Sequence, residues 1–145
     1  YAHFTMAALI ENGEIDFVLD QYKTFWGWML DQGMTTAAEV FDVRWSHCHA
    51  WSACPAWQLS RYVLGIRPEN GRIIFRPFAC KLQKADGYFP DAGVHVEYNR
   101  KKNISEYILT HDSDIELELE LPKGRTQIGD VKKEEKTKTV ICIKD

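Results

Sequence analysis

The period of the hydrophobic residues changes near Gly65, and this change constrains the fold more than any other feature of the sequence. Before it, apolar residues recur at helical spacing, as in Ile15, Val18, Leu19, Tyr22, Trp26 and Met29. After it, apolar and polar residues alternate, most clearly in the run IELELEL at positions 115–121. A spacing of three to four residues predicts amphipathic helices, and alternation predicts half-buried strands. We therefore expect an α+β chain in two parts, with helices first and strands second.

The helical part is predicted to contain three helices and one long irregular segment. Helices are expected at 2–11 and 14–32, separated by Asn12-Gly13, and from Pro55 to Gly65. Residues 34–51 follow neither period. A long irregular segment inside a compact domain is uncommon and often functional, so we look for the chemistry of the chain there.

The second part is predicted to form an antiparallel sheet structure. Strands are expected at 72–78, 94–98, 107–110, 115–121, 126–131 and 138–143, with Asp86-Gly87 among the turn residues that divide them. Residues 132–138 are predicted to be a charged hairpin tip. The glutamates of 115–121 suggest a catalytic pair or a calcium site, but regular alternation with leucine favours the solvated face of an antiparallel sheet.

One carboxylate of the irregular segment, Glu39, lies among its aromatic residues. All five tryptophans of the chain lie between positions 26 and 57. Sugar rings present an apolar CH face that packs on indole, and glycoside hydrolysis uses a pair of carboxyl groups. The pattern is that of a sugar-cleaving pocket. The alternative is that the tryptophans pack in a helical core and Glu39 is a surface acid.

The order of short motifs in this region resembles the end of the catalytic domain in glycoside hydrolase family 78, the inverting α-L-rhamnosidases. The motifs are WGxM at 26–29, GMTTxxE at 33–39, SxxH at 46–49 and GIxP at 65–68. The resemblance implies that residues 1–66 are the C-terminal helices of an incomplete (α/α)6 barrel. It further implies that residues 67–145 are the antiparallel β-sandwich domain that follows the barrel.

The same resemblance implies roles for individual residues. Glu39 occupies the position of the general base, and His49 occupies a position that lines the sugar pocket. Trp51 is predicted to contact the substrate as well, with core packing as its alternative. The family often has tryptophan where this chain has Ala38, which leaves the exact substrate open. The general acid is expected upstream of Tyr1.

These roles imply the partners of the chain. The substrate is expected to be a rhamnose-containing glycoside or polysaccharide, and the upstream barrel helices of the same enzyme are the expected intramolecular partner. No cofactor is expected. A net charge of -3 gives no electrostatic case for nucleic acid, and no apolar run approaches the ~20 residues of a membrane helix. The compartment stays open between extracellular, periplasmic and cytoplasmic in a bacterium, because the chain begins at Tyr1 and shows no signal peptide.

Cysteine and histidine side chains in this region are candidate metal ligands. His47, Cys48, His49 and Cys54 carry zinc-ligand atoms, but no second ligand pair follows at finger-like spacing. Buried thiols and pocket histidines are therefore favoured over zinc. The four cysteines show no CxxC spacing and do not predict a disulfide framework.

Two further readings compete with the rhamnosidase. One is a noncatalytic carbohydrate-binding or interdomain module, and the other is a different glycosidase or a lyase on the same barrel. If the barrel reading holds, three helices cannot close a barrel of twelve. We accordingly expect Tyr22, Trp26 and Tyr62 to be unusually exposed in this chain by itself.

Overall fold

The computed structural model describes residues 2–111, 116–127, 132–135 and 138–144, and the chain divides into two compact units, Tyr1–Leu59 and Ser60–Asp145. The α-helices are α1 (Ala2–Glu11), α2 (Ile15–Gln21), α3 (Gly27–Asp31) and α4 (Cys54–Gln58). Wider π-helical turns span Tyr22–Trp26 and Leu59–Val63, and 3-10 turns span Ala50–Ala53 and Pro90–Ala92. The predicted α+β class is confirmed.

The helical prediction for 14–32 holds as one stretch built from α2, the first π-helical turn and α3. Its apolar stripe is the buried face, where Ile15, Val18, Tyr22 and Met29 are all less than a tenth exposed. Gly33 follows with a φ of 71°, the left-handed conformation that ends many helices and suits glycine. The periodicity of this segment therefore reports which of its faces packs inside the first unit.

The segment between α3 and the turn at Ala50–Ala53 contains neither helix nor strand, as its lack of period indicated. Hydrogen bonds between residues 36–39 and residues 46–49 hold it in place instead. The amide of Glu39 donates to the Ser46 carbonyl oxygen at 2.8 Å, and the amide of His49 donates to the Ala37 carbonyl oxygen at 2.8 Å. The Thr36 hydroxyl donates to the carbonyl oxygen of His47. These bonds close the segment into a loop, which we call the Glu39 loop (residues 34–49).

The second unit contains two sheets. The strands are β1 (Ile66–Glu69), β2 (Arg72–Phe75), β3 (Lys84–Phe89), β4 (Val94–Lys101), β5 (Ile104–His111), β6 (Leu117–Leu119), β7 (Thr126–Gln127), β8 (Lys132–Glu135) and β9 (Lys138–Lys144). One sheet has the order β1-β2-β6. The other has the order β3-β4-β5-β9-β7, with β8 also paired to β9. All pairs of the larger sheet are antiparallel.

Buried aromatic side chains of the two sheets are in contact with each other. Phe75 on β2 and Tyr107 on β5 are fully buried, and their ring centroids lie 5.3 Å apart in an edge-to-face arrangement. Tyr98 on β4 lies 4.9 Å from Tyr107. Inward-facing residues alternate along the long strands, with Val94, Val96 and Tyr98 at 1% exposure or less. The arrangement is consistent with a β-sandwich.

The expectation of a wholly antiparallel structure is wrong for the smaller sheet, because β2 and β6 pair in parallel. The chain leaves this sheet after β2, forms β3, β4 and β5 in the other sheet, and returns as β6. Such a long crossover connection permits parallel pairing, which a hairpin does not. Leu117 and Leu119 are only half-buried, whereas Glu118 is exposed, so the alternation is correct but the burial is shallower than expected. Ile115 and residues 128–131 lie outside the described residues.

Strands β1, β3 and β8 were not predicted. In β3 the pair Asp86-Gly87 was taken as a turn, yet both residues pair with β4. A side chain at Gly87 would bring its Cβ to 2.6 Å from Leu64 Cδ1, so the glycine allows close packing rather than a change of direction. In the charged segment predicted as a hairpin tip, Lys132–Glu135 forms β8.

The expected exposure of three aromatic residues is wrong for two of them. Tyr22 is 7% exposed and Tyr62 is 4% exposed. Tyr62 packs edge to face on Phe78 at 5.6 Å, and the guanidinium of Arg67 lies 5.4 Å from its ring centroid. Trp26 is half-buried. Exposed apolar surface does exist in the first unit, but other side chains provide it, namely Phe4, Phe17, Phe25, Leu30, Trp51 and Trp57.

Candidate functional site

A cavity of about 600 Å³ opens in the first unit between the start of α1, the π-helical turn and the Glu39 loop. It contains all three residues that the sequence predicted for a site, Glu39, His49 and Trp51. The complete lining is Ala2, His3, Trp26, Glu39, Val40, Phe41, His49, Trp51 and Ser52. Its volume lies within the usual range for small-molecule sites, about 300–1,000 Å³.

Glu39 lies at the exposed side of this cavity. Its backbone is fixed at both ends, since its amide donates to the Ser46 carbonyl oxygen and its carbonyl oxygen accepts the Ser52 hydroxyl at 3.4 Å. The side chain is left in contact with solvent. A carboxylate on an anchored loop beside an open cavity is able to accept a proton from water or from a bound hydroxyl.

His49 has a ring nitrogen that no described protein atom contacts by a hydrogen bond. Its amide is bonded to Ala37, and its Nδ1 is buried without a hydrogen-bond partner among the residues that the structure describes. Buried polar atoms normally have partners. Because His49 lines the cavity, a hydroxyl of a bound ligand is a suitable partner for this atom.

Trp51 stands beside His49, with ring centroids 6.4 Å apart in an edge arrangement. It is 65% exposed, so it does not pack in the core of the first unit. An exposed indole on a cavity wall offers a flat apolar face to a ligand.

An aromatic cluster lies beneath the Glu39 loop and was not predicted. Phe41 contacts Phe25 at 4.8 Å, Trp26 at 5.3 Å and Trp28 at 6.2 Å between ring centroids. The indole N–H of Trp26 donates to the Ser52 carbonyl oxygen at 2.6 Å. The only signal for Phe41 in the sequence is its place two residues after Glu39. For His3 and Ser52, which also line the cavity, no motif gave a signal.

Ala38, where the family that the chain resembles often has tryptophan, is fully buried. It does not line the cavity. The departure at this position therefore puts a methyl group inside the loop where an indole would otherwise have to be accommodated.

The acidic residue nearest to Glu39 in the sequence, Asp42, is paired with Arg44. Asp42 accepts hydrogen bonds from the side-chain Nε of Arg44 at 2.9 and 3.0 Å. These bonds hold the pKa of Asp42 below its usual value and raise the pKa of Arg44. Both groups are at the surface, and neither lines the cavity.

The histidines and cysteines that are candidate zinc ligands have different surroundings. His47 Nε2 donates to the Val43 carbonyl oxygen at 2.7 Å, Cys48 is exposed and Cys54 is buried. Burial raises the pKa of the Cys54 thiol. In the described part of the chain no group of three His, Cys, Asp or Glu residues is arranged to hold a metal ion. All four cysteines are described, and none is in a disulfide.

None of the helices within the described ranges has the length and apolar character needed to cross a bilayer.

Comparison with solved structures finds an α-L-rhamnosidase from Dictyoglumus thermophilum with a TM-score of 0.66. The two are 20% identical in sequence, and the match covers 96% of this chain. It covers 19% of the rhamnosidase, so this chain spans about a fifth of the length of that protein. No protein-family model and no curated protein sequence matches the chain. The chain therefore has a rhamnosidase-like fold.

Proposed function

We propose that this chain is the C-terminal part of an inverting α-L-rhamnosidase and supplies its general base, Glu39. Residues 1–66 would be the last helices of an (α/α)6 catalytic barrel, and residues 67–145 the β-sandwich domain that follows it. The observation that carries the proposal is the meeting of Glu39, His49 and Trp51 at one cavity. The fold match to a rhamnosidase, which covers 96% of this chain, supports it.

The chemistry assigned to each residue follows from its surroundings. Glu39 takes a proton from a water molecule, which attacks the anomeric carbon on the face opposite the leaving group. In an inverting pair the two carboxyl groups are about 6.5–9.5 Å apart, which leaves room for that water. The acid that protonates the leaving oxygen belongs to the upstream part of the enzyme. The exposed side of the cavity at Glu39 is compatible with such a partner.

His49 and Trp51 bind the sugar in this proposal. The buried Nδ1 of His49 bonds a ring hydroxyl, and the exposed indole of Trp51 packs on the apolar face of the ring. The substrate is a rhamnose-containing glycoside or polysaccharide.

The apolar surface of the first unit supports the upstream barrel helices as the intramolecular partner. Phe17, Phe25 and Leu30 are 49%, 38% and 73% exposed. Large apolar side chains left in contact with solvent are candidates for an interface. Barrel helices that precede this chain would cover it.

The decisive experiment replaces Glu39 with glutamine in the full-length enzyme. Glutamine keeps the size and hydrogen bonding of the side chain but cannot act as a base. We expect kcat on an aryl α-L-rhamnoside to fall on the order of 10²-fold or more while binding of rhamnose is retained. Glu14→Gln is the matched control, because Glu14 is an exposed carboxylate outside the cavity and should leave kcat unchanged. Near wild-type turnover in Glu39→Gln would remove Glu39 from the mechanism.

Two further measurements separate the competing readings. Proton NMR of the first-formed sugar should show β-L-rhamnose, since an inverting enzyme reverses the anomeric configuration of its substrate. His49→Ala should lower kcat/KM for the same substrate without unfolding the protein. Rhamnose binding without turnover in the full-length wild type would favour the noncatalytic carbohydrate-binding module instead.

A further inference from the structure

Ser52 is hydrogen-bonded to the main chains of Glu39 and His49, the proposed base and the proposed sugar-binding histidine. Its hydroxyl donates to the Glu39 carbonyl oxygen at 3.4 Å, and its amide donates to the His49 carbonyl oxygen at 3.0 Å. The Ser52 side chain is half-buried and lines the same cavity as the other two residues. Two residues of the candidate site therefore share one anchor.

Ser52 is itself held by the helical stretch that begins at Ile15. Its carbonyl oxygen accepts the indole N–H of Trp26 at 2.6 Å. The Trp26 ring packs edge to face on Tyr22 at 5.2 Å, and Tyr22 is buried. The position of Ser52 is therefore fixed relative to the core of the first unit before a substrate arrives.

The Glu39 loop benefits from such an anchor because it contains neither helix nor strand. The three hydrogen bonds that close it join residues of the loop to one another. Ser52 lies outside the loop and connects it to the helical stretch. A base has to lie within hydrogen-bond reach of the water that it activates, and a misplacement of about 1 Å can cost about 10²-fold in rate. A small shift of the Glu39 main chain is therefore expected to slow the reaction.

We infer that Ser52 is a positioning residue, which holds the Glu39 carboxylate where it can take a proton from the attacking water. The inference rests on the proposed function, because Glu39 must be the base. Ser52 acts through Glu39 and exchanges no proton with the substrate. Its bond to the Glu39 carbonyl oxygen is longer than the usual O–H···O distance of about 2.7–2.8 Å, so we expect a moderate loss of rate rather than an inactive variant.

The first test is Ser52→Ala in the full-length enzyme, which removes the hydroxyl and keeps both main-chain bonds of Ser52. We expect kcat on an aryl α-L-rhamnoside to fall about fivefold, the effect of one typical hydrogen bond, with KM unchanged. Ser52→Thr keeps a hydroxyl and should restore kcat to within about twofold of the wild type. Thr24→Val is the matched control, because it removes a hydroxyl that donates to the Asp20 carbonyl oxygen outside the cavity. An unchanged kcat in Ser52→Ala would overturn the inference.

A double-mutant cycle separates positioning of the base from direct contact with the sugar. In the Glu39→Gln background no base is left to position, so adding Ser52→Ala should change the residual kcat by less than about twofold. The same fivefold fall in both backgrounds would show that Ser52 acts independently of Glu39. A raised KM with unchanged kcat would make Ser52 a sugar contact instead. Either result contradicts the assignment.

Hydrogen exchange separates the failure of this inference from the failure of the proposed function. If the full-length wild type hydrolyses no rhamnoside, the proposed function is wrong, and exchange decides whether Ser52 holds the Glu39 loop. Mass spectrometry of a peptide that spans residues 34–49 should show exchange about fivefold faster in Ser52→Ala than in the wild type. Thr24→Val should exchange at the wild-type rate. Equal exchange in Ser52→Ala and the wild type would show that Ser52 does not hold the loop.

Discussion

Trp26 donates its indole N–H to the backbone carbonyl oxygen of Ser52 at 2.6 Å, which joins two residues 26 positions apart. The Ser52 hydroxyl in turn donates to the carbonyl oxygen of Glu39. The helical stretch that begins at Ile15 is thereby linked to the loop that carries the proposed base. Phe41 also packs edge to face on the Trp26 ring, so this tryptophan contacts the Glu39 loop as well as the turn that contains Ser52.

The first prediction concerns this tryptophan. Trp26→Phe removes the donor to Ser52 and keeps most of the ring, so we expect a loss of about 1 kcal/mol in the free energy of unfolding. Trp26→Ala also removes the contacts with Tyr22 and Phe41 and should cost about 3–5 kcal/mol. Urea denaturation followed by circular dichroism measures both. Trp45→Phe is the control, since Trp45 is 58% exposed and the change should stay within about 0.5 kcal/mol.

The second prediction concerns Gly65 at the start of the second unit. Gly65 has a φ of 74°, and a Cβ added there would lie 2.7 Å from Pro77 N and 2.8 Å from Pro77 Cα. Gly124 has a φ of 83° but open space around it. Gly124→Ala should cost about 1–2 kcal/mol for the left-handed backbone alone. Gly65→Ala should cost more than about 3 kcal/mol, because backbone atoms must also move. Similar unfolding free energies for the two variants would contradict this difference.

The third prediction tests the buried network at Gln58. Gln58→Leu removes the donor to the His3 carbonyl and the acceptor of the Tyr22 hydroxyl, and should cost about 1–3 kcal/mol. Tyr22→Phe removes one of the same bonds. In a double-mutant cycle measured by denaturation, the two effects should be non-additive by more than about 0.5 kcal/mol. Strict additivity would show that Tyr22 and Gln58 act separately.

The fourth prediction uses the thiols as reporters of burial. Burial raises the pKa of Cys54, so at pH 8 a smaller fraction of this thiol is ionised than of an ordinary one. Cys48 is exposed. We expect iodoacetamide to modify Cys48 before Cys54, as measured by peptide mass spectrometry. The labelling of Cys54 should accelerate as the pH rises toward its raised pKa. In Cys48→Ser the fast-reacting site should be absent, and equal rates for the two wild-type thiols would contradict the structure.

The sequence predicted the elements whose signal is local. The helix at 2–11 has the predicted bounds, and the strand predicted at 138–143 differs from β9 by one residue. In β9 buried and less buried residues alternate, which periodicity reports directly, whereas the end of α1 was predicted from Asn12-Gly13. The loop that carries Glu39 was predicted because residues 34–51 show neither the helical nor the strand period of apolar residues.

The predictions from the sequence were wrong where one residue type can serve two structural purposes. Asp86-Gly87 is a turn signal, but in β3 the glycine makes room for Leu64. Tyr22 and Tyr62 were expected to be exposed, because other barrel helices were predicted to cover them. Both are buried, and each packs on an aromatic ring of its own unit. Residue type does not state which neighbour covers a side chain.

The candidate site divides in the same way. The motifs around Glu39 and His49 predicted two residues of the cavity lining and suggested a third, Trp51. This was possible because the three residues lie close together in the sequence. His3, Phe41 and Ser52 joined them only through folding.

The sequence by itself determined the division into helices followed by strands and the loop that carries the carboxylate, since these depend on residues a few positions apart. Only the tertiary structure decided the parallel pairing of β2 with β6, the bond between Gln58 and His3 across 55 positions, and the meeting of His3 with Glu39 and Trp51 at one cavity. These features depend on contacts between distant segments, and burial of apolar surface selects them for the chain as a whole.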